Sequence, residues 1–359
     1  MKTSLEGCCV PMGRGSREVR SIAVGSRLVG PGHPVVIIAE IGINHEGSAE
    51  TCARMIETAA KAGADAIKLQ TIDADENYVQ GTDSYALFSG CGLSREETHR
   101  MFDLARELGV EPFTTAGDFA TLDWVDKLAP AAHKISSGLL TNLAVIRHAA
   151  RTGRPLLMST GMANVGDIDA AVAAAQEGGV SGFALLQCTS LYPAPPETLN
   201  LATIGWLERR YEVPVGLSDH SLGTDASVLS VGAGARLIEK HFTLDPSRPG
   251  YDHHLSLDPD GFAEMVRRVR AAEVMMGQAG KRVGKAERRA AAVHHRVLVA
   301  RRDIAAGETF DAANLALKRP LAGSNGLAPR HYDAVIGRRA LRALKADEPV
   351  PADAVEGKL

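Results

Sequence analysis

Glu40, Lys68, Lys134, His220 and His241 are the residues on which chemistry in this chain would turn. Each stands in or at the end of a short apolar run. A lysine inside such a run is not left buried without an anion. Lys68 and Lys134 therefore read as cations for a phosphate or carboxylate, or, with a depressed pKa, as Schiff-base nucleophiles. Ser137, Ser159, Thr160 and Ser218 add short hydroxyls at equivalent positions, with Gly138 and Gly161 beside them. Any one of these serines alone would be an ordinary turn residue; the whole ring together is what a phosphate site needs. His220 and His241 close two consecutive runs, and two imidazoles at one height can share a divalent metal. Two protein ligands would leave positions open for water and substrate. Asp219 and Glu239 flank them, and the segment DHHLS (252–256) adds Asp252, His253 and His254. Tyr192 opens the stiff stretch YPAPP (192–196), which would present its ring to a sugar. Glu40 would project from the first run, before a turn that Gly42 permits. A solvated loop capped by Glu46 and Ser48 is the plainer reading of residues 40–48.

The elements that must position these side chains repeat eight times. The runs are VVIIAE (35–40), AIKLQ (66–70), VEPFTT (110–115), HKISS (133–137), PLLMST (155–160), FALLQC (183–188), VGLSDH (215–220) and RLIEKH (236–241). Helical periodicity fills the intervals, over residues 48–62, 94–108, 120–128, 142–152, 165–177, 198–210, 224–233 and 259–276. SREE (94–97) is a capping box. Gly63, Gly109, Gly153 and Gly178 each follow a helix, where a left-handed stop is expected. Strand and helix alternating eight times predict a closed parallel (β/α)8 barrel, the TIM barrel, whose chemistry sits at the carboxyl ends of the strands. A hairpin over residues 21–29 is expected to plug the amino end.

Composition narrows the class. The chain has 359 residues, a net charge of −3 and 45% hydrophobic residues, which fits one large domain and one small one. No basic stripe points to nucleic acid, and no apolar stretch reaches the ~18 residues of a membrane span. Cys8, Cys9, Cys52, Cys91 and Cys188 are odd in number and irregularly spaced, which favours a reduced, cytoplasmic setting. Residues 1–20 read as a disordered arm without the apolar core of a signal peptide, and Met12 offers a second start. The synthase domain is expected over 21–280, a linker or exposed helix over 281–295, and a loop-rich β domain over 296–359. In the last, strand candidates at 297–300, 310, 315–317 and 339–344 alternate with turns at 306–308, 323–326 and 347–349.

Seven motifs then carry a family resemblance: AEIGINHEG (39–47), KLQ (68–70), KISSG (134–138), STGM (159–162), YPAP (192–195), GLSDH (216–220) and EKHF (239–242). In this order they resemble the sialic acid synthases, which make N-acetylneuraminate, legionaminate and pseudaminate. The similarity runs from about residue 20 to the end, and the C-terminal part resembles the antifreeze-like (SAF) domain of those enzymes. The resemblance implies condensation of phosphoenolpyruvate with an open-chain N-acetylated hexosamine, N-acetylmannosamine or a diacetamido-deoxyhexose relative, to give a nonulosonic acid and phosphate. It implies Mn2+ (Mg2+ or Co2+ as substitutes) on His220 and His241. It implies phosphoenolpyruvate held by Lys68, Thr115, Lys134, Ser137, Ser159, Ser190 and Ser218. The sugar would be held by Gln70, Tyr192, Glu239, Asp252 and Arg319, and Glu40 would move protons. It further implies a domain-swapped homodimer in which Arg319 enters the other subunit's site.

The chain departs from the family pattern at five positions around the mouth. Ser190 stands where many members have asparagine, Ala116-Gly117 replaces Pro-Phe after Thr115, Leu139 occupies an often acidic position, and Tyr251 replaces a proline. Residues 78–92 are only weakly similar. These changes bear on the acceptor sugar more than on the reaction. Two rival classes remain: a pyruvate-dependent barrel aldolase, and a non-catalytic carbohydrate-binding or surface-polysaccharide assembly protein. The latter predicts eroded strand ends, and these are intact.

Overall fold

The computed structural model describes residues 19–321 and 323–359, so most of the expected arm, with Cys8, Cys9 and Met12, lies outside the described residues. The chain separates into two compact units, Met1–Gly277 and Gln278–Leu359.

The first unit opens with an antiparallel hairpin, β1 (Ile22–Val24) and β2 (Arg27–Val29). Eight parallel strands follow: β3 (Val36–Gly42), β4 (Ala66–Gln70), β5 (Glu111–Thr115), β6 (His133–Ile135), β7 (Leu156–Ser159), β8 (Phe183–Cys188), β9 (Val215–Asp219) and β10 (Leu237–His241). β10 pairs with β3, which closes the barrel. Strand side chains alternate between the two faces of the wall. Outward residues such as Ile37, Ile67, Ile135, Leu185, Leu217 and Ile238 pack against the surrounding helices. Inward residues at the amino end, Val36, Ile38, Ala66, Phe113, Leu157, Ala184, Leu186 and Leu237, form a sealed apolar floor with Val24 and Val29 of the hairpin. The hairpin thus does plug the amino end, and Gly25 N–H donates to the Ala131 carbonyl there (3.3 Å).

One inward step further along the strands, the residues become polar. Ile38 is followed by Glu40, Ala66 by Lys68, Phe113 by Thr115, Leu157 by Ser159, Leu186 by Cys188 and Leu237 by Glu239. The apolar floor keeps water from below, and the polar layer lies on top of it.

The helices start and stop on the signals their sequences carry. Ser48, Ser94 and Asn142 cap helices Ala49–Lys61, Arg95–Glu107 and Leu143–Arg151, the second through a full capping box. Gly63, Gly109 and Gly153 take the left-handed conformation, but Gly178 does not: it stays right-handed at φ −71° and Gly179 makes the turn at φ 79°. The reason is packing. A Cβ on Gly178 would stand 2.5 Å from the Ala150 methyl, so this glycine lets two helices approach. The sequence expectation of one helix over 198–210 is also corrected: a 3-10 turn at Pro196–Thr198 precedes a helix at Thr203–Tyr211. Two short helices, Ala74–Asn77 and Asp83–Cys91, occupy the interval after β4 and were not anticipated.

The second unit begins with the exposed helix Lys285–His294. It continues into an antiparallel pair, β11 (Val297–Ala300) and β12 (Leu315–Lys318), over a small core of Leu298, Ile304, Phe310, Val335, Leu344 and Val350. Two of its turns are built alike. In one, Arg302 pairs with Glu308, whose carboxylate accepts from Ala305 N–H; in the other, Arg342 pairs with Glu348, which accepts from Lys345 N–H. Neither Phe310 nor residues 339–344 form a full strand: Arg339, Ala340 and Leu344 make isolated bridges to Thr309, Val355 and Ile304, and Phe310 exchanges backbone hydrogen bonds with Arg338 and Gly337. No helix among the described residues is long and apolar enough to cross a membrane.

Candidate active site

The carboxyl ends of the barrel strands surround a cavity of about 190 Å³. Its wall includes Glu40, Lys68, Gln70, Thr115, Lys134, Ser137, Ser159, Tyr192, Ser218, His220, Glu239 and His241, with Ile72, Tyr78, Phe88, Ser136 and Gly138.

A buried charge network forms the floor. Lys68 Nζ lies 3.2 Å from both Glu40 Oε2 and Glu239 Oε1. Lys134 Nζ lies 3.8 Å from the same Glu239 oxygen and donates to Ser159 Oγ at 2.7 Å. Ser218 Oγ donates to Glu239 Oε1 (3.0 Å), and Gln70 Nε2 to Glu40 Oε1 (2.8 Å). Desolvating such charges costs several kcal/mol each unless they are matched. The match is incomplete: Glu40 Oε2, Glu239 Oε2 and Thr115 Oγ1 are buried without a hydrogen-bond partner among the described residues.

The two carboxylates are driven apart by their surroundings. Burial raises Glu40 to about 7 against the pull of Lys68. Burial would raise Glu239 as well, but Lys134 and Lys68 outweigh it and hold it at about 2. A carboxyl that titrates near neutrality beside one that stays ionised is the pattern of a proton-transfer group next to a fixed charge. Burial lowers Lys134 to about 8, against Glu239. For Lys68 burial is overcome by Glu239 and Glu40, and its pKa rises. Lys68 thus stays a cation, whereas Lys134 is the lysine nearer to losing its proton.

The histidines close one side. Their ring centroids are 5.3 Å apart, and Tyr192 lies 4.2 Å from His220. His220 Nδ1 faces the Thr189 carbonyl at 2.9 Å, which fixes the proton on that nitrogen and leaves Nε2 with a free lone pair. Burial and then the charge of His220 hold His241 well below the ordinary histidine value, and its Nδ1 is buried without a hydrogen-bond partner. A neutral imidazole with an orphaned nitrogen suits a metal. Asp252 Oδ2 is 3.7 Å from that nitrogen. No group of three or more His, Cys, Asp or Glu side chains gathers as a metal cluster among the described residues. The donor set fits a cation carried on two imidazoles, with water or substrate in its other positions.

Beside the lysines, hydroxyls and backbone make a cradle. Gly161 N–H donates to Ser137 Oγ (3.1 Å), and a Cβ on Gly161 would stand 2.2 Å from Ser190 Oγ and 2.6 Å from Ser137 Oγ. Only glycine lets these groups converge. Gly42, at φ 55°, permits the bulge after Glu40, close to the Glu40–Gln70 bond.

Several sequence candidates lie elsewhere. Ser190 and Asp252 are not among the cavity-lining residues: Ser190 adjoins Gly161 and Cys188 at the edge of the cradle, and Asp252 adjoins His241. Thr160 is outside the ring, its hydroxyl donating to the Leu186 carbonyl. Asp219 points away from the cavity to Lys240, because successive strand residues face opposite sides. His45 is buried and accepts from Gly47 N–H, and His254 is exposed. Arg319 belongs to the second unit and is exposed. Three features were missed: the rings of Tyr78 and Phe88, the thiol of Cys188 under Ser137 (3.3 Å), and the clamp of His253 by Thr243 and Glu46. The motif containing Asn44 did carry one signal. Asn44 donates to the Phe242 carbonyl and Ser256 Oγ and accepts from Asp252 N–H, tying the Asp252 loop to β3.

Known proteins share much of this chain. The NeuB family profile matches residues 55–281 and the SAF domain profile residues 295–356. The chain is 34% identical over 328 residues to N,N'-diacetyllegionaminic acid synthase of Legionella pneumophila, covering 86% of this chain and 91% of that protein. It is 34% identical over 329 residues to pseudaminic acid synthase of Campylobacter jejuni, covering 87% and 94%. Among solved structures, N-acetylneuraminic acid synthetase from Leptospira borgpetersenii superposes with a TM-score of 0.73 at 30% identity, over 75% of this chain and 94% of that one.

Proposed function

Since the chain belongs to the NeuB family, we propose that it condenses phosphoenolpyruvate with an open-chain N-acetylated hexosamine and water, giving a nonulosonic acid and phosphate. The observation that carries this reading is the juxtaposition, in one cavity, of two lysines, a ring of hydroxyls, two carboxyls of opposite protonation tendency and two imidazoles. An aldolase acting on pyruvate would need a carbonyl site but no cradle for a leaving phosphate.

In this reading Lys68, Lys134, Ser137, Ser159 and Ser218 hold the carboxylate and phosphate of phosphoenolpyruvate, with Thr115 and Ser190 at the edges. Preorganised cations and hydroxyls of this kind stabilise charge as it moves to the leaving group. Gln70, Tyr192 and Glu239 orient the sugar, and Asp252 supports the wall behind His241. By family resemblance Arg319 contacts the sugar bound by the other subunit of a domain-swapped homodimer. His220 and His241 would hold Mn2+ or a similar divalent ion, which when bound supplies Lewis-acid polarisation of the aldehyde.

C3 of phosphoenolpyruvate forms the new C–C bond to the aldehyde carbon, whose oxygen becomes a hydroxyl. Positive charge left at C2 is met by water. Glu40, with its pKa near neutrality, accepts one proton from that water and delivers it to the former aldehyde oxygen, and the proton left on the new C2 hydroxyl goes to the departing phosphate. The C2–O bond to phosphorus then breaks, and phosphate leaves into the lysine cradle.

The test is incubation with phosphoenolpyruvate, Mn2+ and a panel of N-acetylhexosamines, following phosphate release and product mass. Bridging 18O in phosphoenolpyruvate should appear in the phosphate. Its retention in the keto acid would overturn the bond assignment. Glu40→Gln should abolish turnover while Mn2+ still binds, and normal turnover would remove the role given to Glu40.

A further inference from the structure

Two departures from the family pattern, far apart in sequence, meet in space. Gly117 stands where the pattern has phenylalanine, and residues 78–92 resemble it least. In the structure Gly117 is buried, and a Cβ placed on it would lie 1.7 Å from Asn77 Oδ1 and 2.8 Å from Asn77 Cγ. The absent side chain is the seat of the short helix Ala74–Asn77. Asn77 is held there by its own amide, which donates to the Asp73 carbonyl (2.8 Å) and to Asp118 (3.3 Å). The far end has a second glycine seat. A Cβ on Gly47 would stand 3.2 Å from the Gly90 carbonyl, next to the fully buried Cys91. Between the two seats the segment puts Tyr78 and Phe88 into the cavity wall beside Ile72, their rings stacked 5.2 Å apart at 26°.

The chemistry of this segment is one-sided. Residues 71–92 contain Asp73, Asp75, Glu76 and Asp83 and no Lys, Arg or His. The part of the wall it supplies is apolar. The cations of the cavity, Lys68 and Lys134, lie on the barrel floor and are engaged with Glu40 and Glu239.

We propose that residues 73–92, seated on Gly117, are the acceptor-selecting element, and that they favour an acceptor whose distal end is uncharged and methyl-bearing over one carrying a phosphate. This rests on the function proposed above. The aromatic rings and Ile72 provide area for N-acetyl or deoxy methyl groups, where one methyl is worth roughly 10- to 200-fold in discrimination. The acidic segment repels a phosphate ester. Asn77 and Gly117 are positioning residues that set where the rings stand.

The experiment compares kcat/KM for three acceptors: N-acetylmannosamine, its terminal phosphate ester and a di-N-acetylated trideoxyhexose. Phosphoenolpyruvate affinity is titrated separately. The expected order places the trideoxyhexose first and the phosphate ester last. Phe88→Ala should compress that preference by about tenfold or more and leave phosphoenolpyruvate affinity unchanged. Gly117→Ala should do the same by displacing Asn77, and Gly117→Ala with Asn77→Ala should restore the preference, since no atom of residue 77 short of its amide is among the close contacts. Fastest turnover with the phosphate ester, an equal loss for all acceptors in Phe88→Ala, or no rescue in the double variant would overturn this inference alone. Absence of phosphate release with every acceptor would overturn it together with the proposed function.

Discussion

The barrel holds two buried lysine–carboxylate groupings on neighbouring strand ends, and they differ in what they leave unsatisfied. On the outer face of the wall, Lys240 and Asp219 lie opposite each other in the β9–β10 register, 3.0 Å apart and 0% exposed. No side-chain nitrogen or oxygen of this pair is left without a partner: Lys240 also donates to the Ser221 carbonyl, and Asp219 accepts from Ser221 N–H, Ser221 Oγ and Ser227 Oγ. On the inner face, Lys68 sits between Glu40 and Glu239 with comparable burial, yet Glu239 Oε2 has no hydrogen-bond partner and Glu40 Oε2 has only the charge of Lys68 beside it. Charge and burial are shared by both groupings. Unfilled hydrogen-bonding capacity distinguishes the one that faces a ligand cavity from the one that braces the wall.

Breaking each grouping should give opposite results. Lys68→Met is expected to lower turnover on the order of a thousandfold with little change in melting temperature. Glu40 is already poised to take a proton and Lys134 still faces Glu239, so no uncompensated charge is left. Steady-state kinetics and calorimetry on one preparation would decide this, and a large loss of stability would erase the contrast. Lys240→Met should do the reverse, costing about 3–5 kcal/mol because Asp219 is left buried and unpaired. Joining it to Asp219→Asn should recover most of that loss, as measured by denaturant unfolding.

A finer test uses pH. Glu40 has a folded pKa above its ordinary value, so the native state holds its proton more tightly than the unfolded chain. Stability from this group is therefore full below about 4.5 and is lost as pH rises to about 7. Glu40→Gln removes that loss and should stabilise the protein above pH 7, on the order of 3 kcal/mol, but not at pH 4. In the active enzyme Gln70→Ala removes the hydrogen bond that lowers Glu40, so the acid limb of the rate profile should move to higher pH. The smallest effect serves as a control. Arg147→Ala breaks a solvent-exposed pair with Glu177 and should change stability by less than about 0.5 kcal/mol.

Much of this was legible from the chain. Each of the eight strands ends near the residue the runs suggest, since a short unbroken apolar run closed by a polar residue is a local signal. Inward residues of one strand announce one another, so Lys68 and Gln70, or Glu239 and His241, could be paired from spacing. The cap residues Ser48, Ser94 and Asn142 stand where short-range hydrogen bonding puts them. The exceptions share a cause. Gly178 is glycine because of Ala150, not because of its own turn. Asp219 looked like a flank of the histidines but faces the opposite side of the wall. Tyr78 and Phe88 sit in a segment with weak amphipathic pattern, and nothing local says that it folds over the mouth.

The sequence by itself therefore determined the barrel, the layer at which its interior turns from apolar to polar, and the residue types that line the mouth. These follow from alternation, capping and turn chemistry, which act over a few residues. Only the tertiary structure decided which carboxylate titrates near neutrality, which charged pair braces the wall and which side chain a glycine makes room for. Those outcomes depend on desolvation and on contacts between residues such as Glu40 and Glu239, or Asn77 and Gly117, that are brought together by closure of the sheet and not by their spacing along the chain.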